Sequence, residues 1–247
     1  MTASRGAPGG DALRAWYDLL HRRIDDVALD EAAARVGLPS GIGRWNLLDD
    51  ATLQTLVARV LPKRAGRVLD IGCGRGFLGR WLLANGYDFS YVGLDRSPNA
   101  LAAAARNCPK GRYLLREAAD LPDETFDAVA IIESVHPLDE SLARAVARRL
   151  SQGGGVLLAF PSLESERARR VDASVAAFVA AGLEVERVRV ACPPGAEGAR
   201  GYLDVLLELC REDSDSPLAR EIRRAVDCLD GGLLGYDAFV ARGTARE

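Results

Sequence analysis

Between Arg67 and Phe160, short β-rich runs alternate with helical stretches, and this alternation leaves the chain few architectures. Runs near Val68–Ile71, Ser90–Leu94, Arg112–Leu115, Phe126–Ile132 and Val156–Phe160 are separated by helix-like Phe77–Ala84, Pro98–Asn107 and Leu138–Leu150. Strands joined through helices run parallel and need helices on both faces of their sheet. Ser162–Ala181 continues as helix, and Leu183–Val190 and Tyr236–Ala241 supply two further strands. Helical stretches Gly201–Cys210 and Ser216–Leu229 fall between those two. The expected fold is α/β: a seven-stranded, mostly parallel, doubly wound sheet with a helical insertion at about 200–230, before the last strand. Helical spacing in Asp11–Arg23 and Asp30–Val36, and an Asp49/Asp50-capped helix to about Leu61, predict an N-terminal helical cap over residues 1–62. Residues 63–247 then form the main domain, with no linker or internal repeat visible.

Composition narrows the function classes. The 247 residues carry a formal net charge of −3, which argues against a nucleic-acid partner. Five scattered cysteines without a C-x-x-C pair suit reduced thiols, and no metal site is expected. The opening MTASRGAPGGDALRAW lacks an apolar signal core, and the longest apolar stretches are broken well short of a bilayer's width. A cytoplasmic protein without a membrane partner is therefore expected, as monomer or homodimer.

A ligand in a doubly wound sheet binds at the carboxyl ends of the strands. The first such turn here is Val68-Leu-Asp70-Ile-Gly72-Cys73-Gly74-Arg75-Gly76. Gly72, Gly74 and Gly76 remove Cβ atoms where a ligand approaches, and the following helix offers free N–H groups. A dinucleotide fingerprint needs its third glycine one residue later, and Phe77 stands where a pyrophosphate would lie. Asp70 would also place negative charge beside phosphates. A smaller anion that travels with a cation, as an amino-acid zwitterion does, meets both demands.

These residues resemble the first motif of the class I S-adenosylmethionine-dependent methyltransferases. In that family the glycines line the methionine part of the cofactor and the acid lies near its amino group. The resemblance continues at Asp95 in Tyr91-Val-Gly-Leu-Asp95-Arg96-Ser97, 25 residues after Asp70. It implies that Asp95 accepts from the ribose hydroxyls, with Arg96 beside it. Arg116-Glu117-Ala118-Ala119-Asp120-Leu121-Pro122 is similar to the family's G-D-A-x-x-L-P, with Arg and Glu where Gly and Asp are usual. Glu117 is then expected at the adenine amino group and the Ala118 N–H at the ring, with Asp120 as the rival acid. Asp123 to Glu133 and the Gly153–Gly155 turn resemble the family's fourth strand and the entry to its fifth. The implied cofactor-binding set is Asp70, Gly72, Cys73, Gly74, Gly76, Asp95, Arg96, Glu117, Ala118, Glu133 and Trp45.

Two further residues matter. His136, directly after the fourth strand, is the candidate catalytic base, and structural support is the alternative. Trp45, in the Gly-containing loop at residues 41–45, either shields a sulfonium with its ring face or anchors the cap. Trp16 and Tyr17 are candidates for the same lid, and His21 is read as a solvated helix residue. The expected function is methyl transfer from S-adenosylmethionine to an O, N or C atom of a small-molecule acceptor. The Ala-, Arg- and Gly-heavy composition suggests bacterial specialised metabolism. The alternative is a cofactor-binding protein without methyl transfer, cyclase-like or a partner subunit. A nicotinamide oxidoreductase is disfavoured by Asp70 and Phe77.

Overall fold

The computed structural model describes residues 50–243, apart from 135–137, 189–194, 210, 212–213, 216 and 231–233, and ahead of them Ala15, Tyr17, Asp18, His21, Arg22, Asp30, Ala34 and Leu48. The strands are β1 Ala65–Ile71, β2 Asp88–Asp95, β3 Arg112–Leu115, β4 Phe126–Ile132, β5 Leu150–Leu163, β6 Leu183–Val188 and β7 Leu234–Gly243. The helices are α1 Asp50–Val60, α2 Phe77–Ala84, α3 Pro98–Asn107, α4 Glu140–Arg149, α5 Glu164–Ala180, α6 Gly195–Leu209 and α7 Pro217–Asp230. The strands form one seven-stranded sheet in the order β3-β2-β1-β4-β5-β7-β6. Only β7 runs against its neighbours. The order reverses between β1 and β4, which fixes the switch point there.

Alternation along each strand sends side chains into two apolar layers. Val68, Tyr91, Ala130 and Leu157 join Leu53, Leu56, Trp81, Leu203 and Ile222 from α1, α2, α6 and α7. Leu69, Ile71, Val129 and Leu158 face the other way, onto Leu142 and Val146 of α4 and Phe178 of α5. This two-sided burial is why the parallel strands read as continuous apolar runs.

The two largest differences from the sequence reading are the starts of β5 and α6. β5 begins at Leu150, ahead of the expected Val156, because Leu150 pairs with Phe126 before the register jumps to Ala128–Gly155. Asp127 holds that irregularity, accepting from Ser151 Oγ at 2.7 Å and from the Arg67 N–H at 2.8 Å. Helix α6 begins at Gly195, ahead of Gly201. Pro193 and Pro194 precede it, and proline preorganises a helix start. Burial of Leu203 and Leu206 then outweighs the poor helix propensity of its glycines. No helix among the described residues is long and apolar enough to cross a membrane.

Candidate functional site

The loop after β1 turns back over the end of β2. The N–H groups of Gly72 and Cys73 both donate to the Leu94 carbonyl, at 2.7 and 3.0 Å. Gly72, Gly74 and Gly76 take φ of 75°, 51° and 75°, so all three lie in the left-handed region that favours glycine. Their roles then diverge. Gly72 and Gly74 line a cleft of about 470 Å³, counted with its open mouth, together with Asp70, Cys73, Phe77, Ile132 and Glu133. A Cβ on Gly74 would meet only Tyr17 Oη, at 3.8 Å. A Cβ on Gly76 would lie 3.0 Å from both Cα and Cβ of Ala104. Gly76 is therefore a packing glycine between α2 and α3 and does not line the cleft.

Two acids are buried beneath this turn. Asp70 is 4% exposed and accepts from Tyr91 Oη at 2.5 Å. Burial pushes its carboxyl up to about 7; the Tyr91 bond opposes that rise and the Asp95 charge adds to it. Asp95 accepts from the Gly74 N–H on one oxygen and the Ser97 N–H on the other, each at 2.9 Å. It thus braces the glycine turn and joins it to the start of α3. The Cys73 thiol is pushed well up by burial, with Asp70 and Asp95 adding to the effect. A thiol so held is not a nucleophile. Gly93 gives it room, since a Cβ there would lie 2.8 Å from Cys73 Sγ.

The far wall of the cleft comes from the N-terminal helical residues. Asp18 accepts from Ser97 Oγ at 2.6 Å, the Asn99 N–H at 3.1 Å and Asn99 Nδ2 at 2.8 Å. Burial would raise the Asp18 carboxyl, but these bonds outweigh it and hold the group below its ordinary range. Arg75 Nη1 donates to the His21 carbonyl at 3.0 Å. Tyr17 and His21 thereby line the cleft, with ring centroids 4.4 Å apart, edge to face. His21 is 3% exposed, so its reading as a solvated helix residue is corrected. Burial, with Arg75 adding to it, lowers its pKa to about 3, and the imidazole is neutral at pH 7. Asp18 and Tyr91 carried no signal of their own in the sequence, because their importance depends on what docks against them.

The other expected residues are distributed as follows. The Arg96 guanidinium lies 5.8 Å from the Tyr17 ring centroid. Ala118 is buried and Glu117 exposed, in the loop after β3, where the Arg116 N–H donates to the Asp95 carbonyl at 3.0 Å. Asp120 pairs with Arg116 at 3.6 Å. Glu133 directly follows β4 with φ of 47°, and its N–H donates to the Ala159 carbonyl at 2.7 Å. Trp45, Trp16 and His136 lie outside the described residues. Among the described residues, no group of three or more His, Cys, Asp or Glu side chains is arranged to hold a metal ion.

The sheet order, the switch-point cleft and the acid-glycine turn together define the class I methyltransferase fold. Residues 68–154 match the methyltransferase domain family. A trans-aconitate 2-methyltransferase of Methylobacterium nodulans is 33% identical over 125 residues, 49% of this chain and 48% of that protein. An O-methyltransferase of Penicillium expansum is 32% identical over 155 residues, 55% of this chain and 56% of that protein. The chain thus spans about half the length of the curated relatives it matches. Among solved structures, the [4+2]-cyclase SpnF superposes with a TM-score of 0.68 at 20% identity, covering 99% of this chain and 100% of that one. An S-adenosylmethionine-dependent methyltransferase of Geobacter sulfurreducens, in complex with S-adenosylhomocysteine, gives 0.59 at 20% identity, covering 81% and 93%. Over residues 68–154 the chain thus carries this methyltransferase domain, on the fold that those solved structures share.

Proposed function

We propose that the cleft binds S-adenosylmethionine and that the protein transfers its methyl group to a small-molecule acceptor. The observation that carries this reading is Asp70: a carboxyl buried at the end of β1, beside two left-handed glycines that leave the cleft open. The residues present fit the cofactor. Asp70 would meet the amino group, Gly72, Cys73 and Gly74 the methionine portion, and Asp95 and Arg96 the ribose side. Glu117 and Ala118, in the loop after β3, would take the adenine. Gly76 is withdrawn from this set, since its missing Cβ serves Ala104.

When bound, the cofactor supplies a methyl group already activated by positive sulfur. The chain's own task is then to orient and to exclude water. Tyr17, His21 and Phe77 cover the cleft, and Trp45 is proposed to extend that cover. His136 is the proposed base if the acceptor must lose a proton. A cytoplasmic role in bacterial specialised metabolism, as monomer or homodimer without nucleic-acid partners, completes the reading.

One comparison favours a second reading, in which the cofactor is bound without methyl transfer. SpnF, described as a [4+2]-cyclase, matches the chain over its full length, whereas the Geobacter methyltransferase covers less of it. Incubation with methyl-labelled cofactor and a metabolite pool separates the two. Labelled acceptor together with demethylated cofactor supports transfer. Binding without release of label supports the second reading, and absence of binding sinks both.

A further inference from the structure

Resting on the cofactor reading above, we infer that Tyr91 is a positioning residue for Asp70: its hydroxyl fixes one carboxylate oxygen, leaves the other to the ligand's ammonium, and sets the pH above which the cleft takes that ammonium. The register of β1 and β2 places the pair. Tyr91 stands opposite Val68 and Gly93 opposite Asp70, so Tyr91 and Asp70 are diagonal neighbours on one face of the sheet. The phenol reaches along that face, and Tyr91 Oη donates to Asp70 Oδ2 at 2.5 Å. Its ring has little room to swing away. A Cβ on Gly79 of α2 would already lie 3.1 Å from its Cε1 and Cζ. Phe89 and Tyr113 pack on it edge to face, at centroid distances of 6.2 and 6.0 Å. Among the described residues, no other donor reaches the Asp70 carboxyl, which leaves Oδ1 for a ligand in the cleft that Asp70 lines.

A hydroxyl that donates to a carboxylate favours its charged form. Here it opposes burial, which pushes the Asp70 carboxyl up to about 7, with the Asp95 charge adding to the rise. An ammonium needs the charged form, so the share of protein able to take it grows with pH through that region. Tyr91 is itself pushed well up by burial and by the Asp70 charge, and so keeps the proton it donates. The thiol of Cys73 in the turn, and the phenols of Tyr113 on β3 and Tyr17 across the cleft, are pushed up in the same way and stay neutral. His21 is neutral at pH 7, its pKa lowered to about 3. Asp95 and Glu133 bring carboxyls and Arg75 a guanidinium, while α2 brings Phe77 and Leu78, which do not titrate. Among the described residues the Tyr91 hydroxyl bonds none of these, so removing it acts on Asp70 alone.

Tyr91→Phe removes one oxygen and keeps the packed ring. Calorimetry of the full chain with S-adenosylhomocysteine, across a range of pH, reads the effect. In the parent, affinity should climb through about pH 7 and level off above it. Loss of a hydrogen bond to a charged group should move that climb up by about one pH unit or more. Tyr91→Phe should therefore bind at least about five-fold more weakly at about pH 7, yet within about threefold of the parent at about pH 8.5. Tyr113→Phe removes a hydroxyl from the same layer, one that donates to the Cys108 carbonyl at 2.8 Å, and should leave the profile in place. Urea unfolding without ligand gives a second readout: the pH range over which Asp70 loses its stabilising contribution should extend upward in Tyr91→Phe. A parent affinity that is flat with pH, an equal loss at both pH values, an unmoved unfolding profile, or the same move in Tyr113→Phe overturns the role of Tyr91 and leaves the cofactor reading standing. If no protein binds S-adenosylhomocysteine at any pH, the cofactor reading fails and the ammonium role fails with it, while the unfolding profile still upholds or refutes the hold of Tyr91 on Asp70.

Discussion

Substituting alanine at Gly74 and at Gly76 should give two different failures, although the residues are two apart and share a left-handed backbone. Placing an L-residue there costs about 1–2 kcal/mol in either case. At Gly74 little is added, because the new methyl meets only Tyr17 Oη at 3.8 Å, an ordinary contact. At Gly76 the methyl would press on Ala104 Cα and Cβ at 3.0 Å and on its carbonyl oxygen at 3.3 Å. That neighbour is helix backbone and cannot swing aside, so overpacking adds about 1–3 kcal/mol. Gly76→Ala should therefore lose about 2–5 kcal/mol and Gly74→Ala about 1–2. Urea unfolding reads both losses as shifts in midpoint at constant slope. Calorimetry with S-adenosylhomocysteine should reverse the ranking: Gly74→Ala binds at least about 10-fold more weakly, by about 1.4 kcal/mol, and folded Gly76→Ala binds normally. Equal stability losses, or a Gly76→Ala protein that is folded but does not bind, would refute this division of roles.

Three further outcomes are expected. Because burial holds the Asp70 carboxyl near 7, above its ordinary value of 3.8, the folded protein binds a proton that the unfolded chain releases between those values. This group's contribution to stability is therefore full below about pH 4, falls as pH rises towards 7 and is flat beyond; Asp70→Asn should remove that component from a stability–pH profile. In the same window, binding of S-adenosylmethionine should release a proton from Asp70, seen as a buffer-dependent binding heat that Asp70→Asn abolishes. Asp18→Ala should loosen the N-terminal helical residues by about 1–2 kcal/mol, since three bonds to Ser97 and Asn99 are lost. Amide exchange at Tyr17, Asp18, His21 and Arg22 should rise about 10-fold or more, and an unchanged rate there would show that Asp18 does not hold these residues. Asp95→Ala leaves the N–H groups of Gly74 and Ser97 without their partner and should weaken S-adenosylhomocysteine binding by about 1–3 kcal/mol; calorimetric affinity equal to the parent's would refute that role.

Much of the fold was legible because parallel strands buried on both faces leave a strong periodic record. The runs from Val68 to Ile132 and the helices Phe77–Ala84 and Pro98–Asn107 follow from that record and from their caps. The start of β5 was hidden, because its first pairing depends on Asp127 bracing Arg67 and Ser151 from distant positions. The acids and glycines of the first turn stand out as a group in the sequence, and the structure gathers Asp70, Gly72, Cys73 and Gly74 around one cleft. Individual roles were less so: nothing local distinguishes Gly76, packed on Ala104, from Gly74, facing the cleft. Asp18 and His21 were opaque for the same reason. A lone acid and a lone histidine on a short amphipathic stretch acquire meaning only when α3 and Arg75 meet them.

Ser97 holds three commitments at once: its N–H to Asp95, its hydroxyl to Asp18, and that same oxygen capping α3 through the Ala100 N–H at 3.0 Å. If the proposed ligand rests on Asp95, it shares one support with the residues that Asp18 anchors, and linkage makes their dependence mutual. Whatever factor the docked Asp18 adds to ligand affinity, the ligand returns as resistance of Asp18 to undocking. Protease cleavage at Arg22 should accordingly serve as a gauge of occupancy, slowing as the cleft fills.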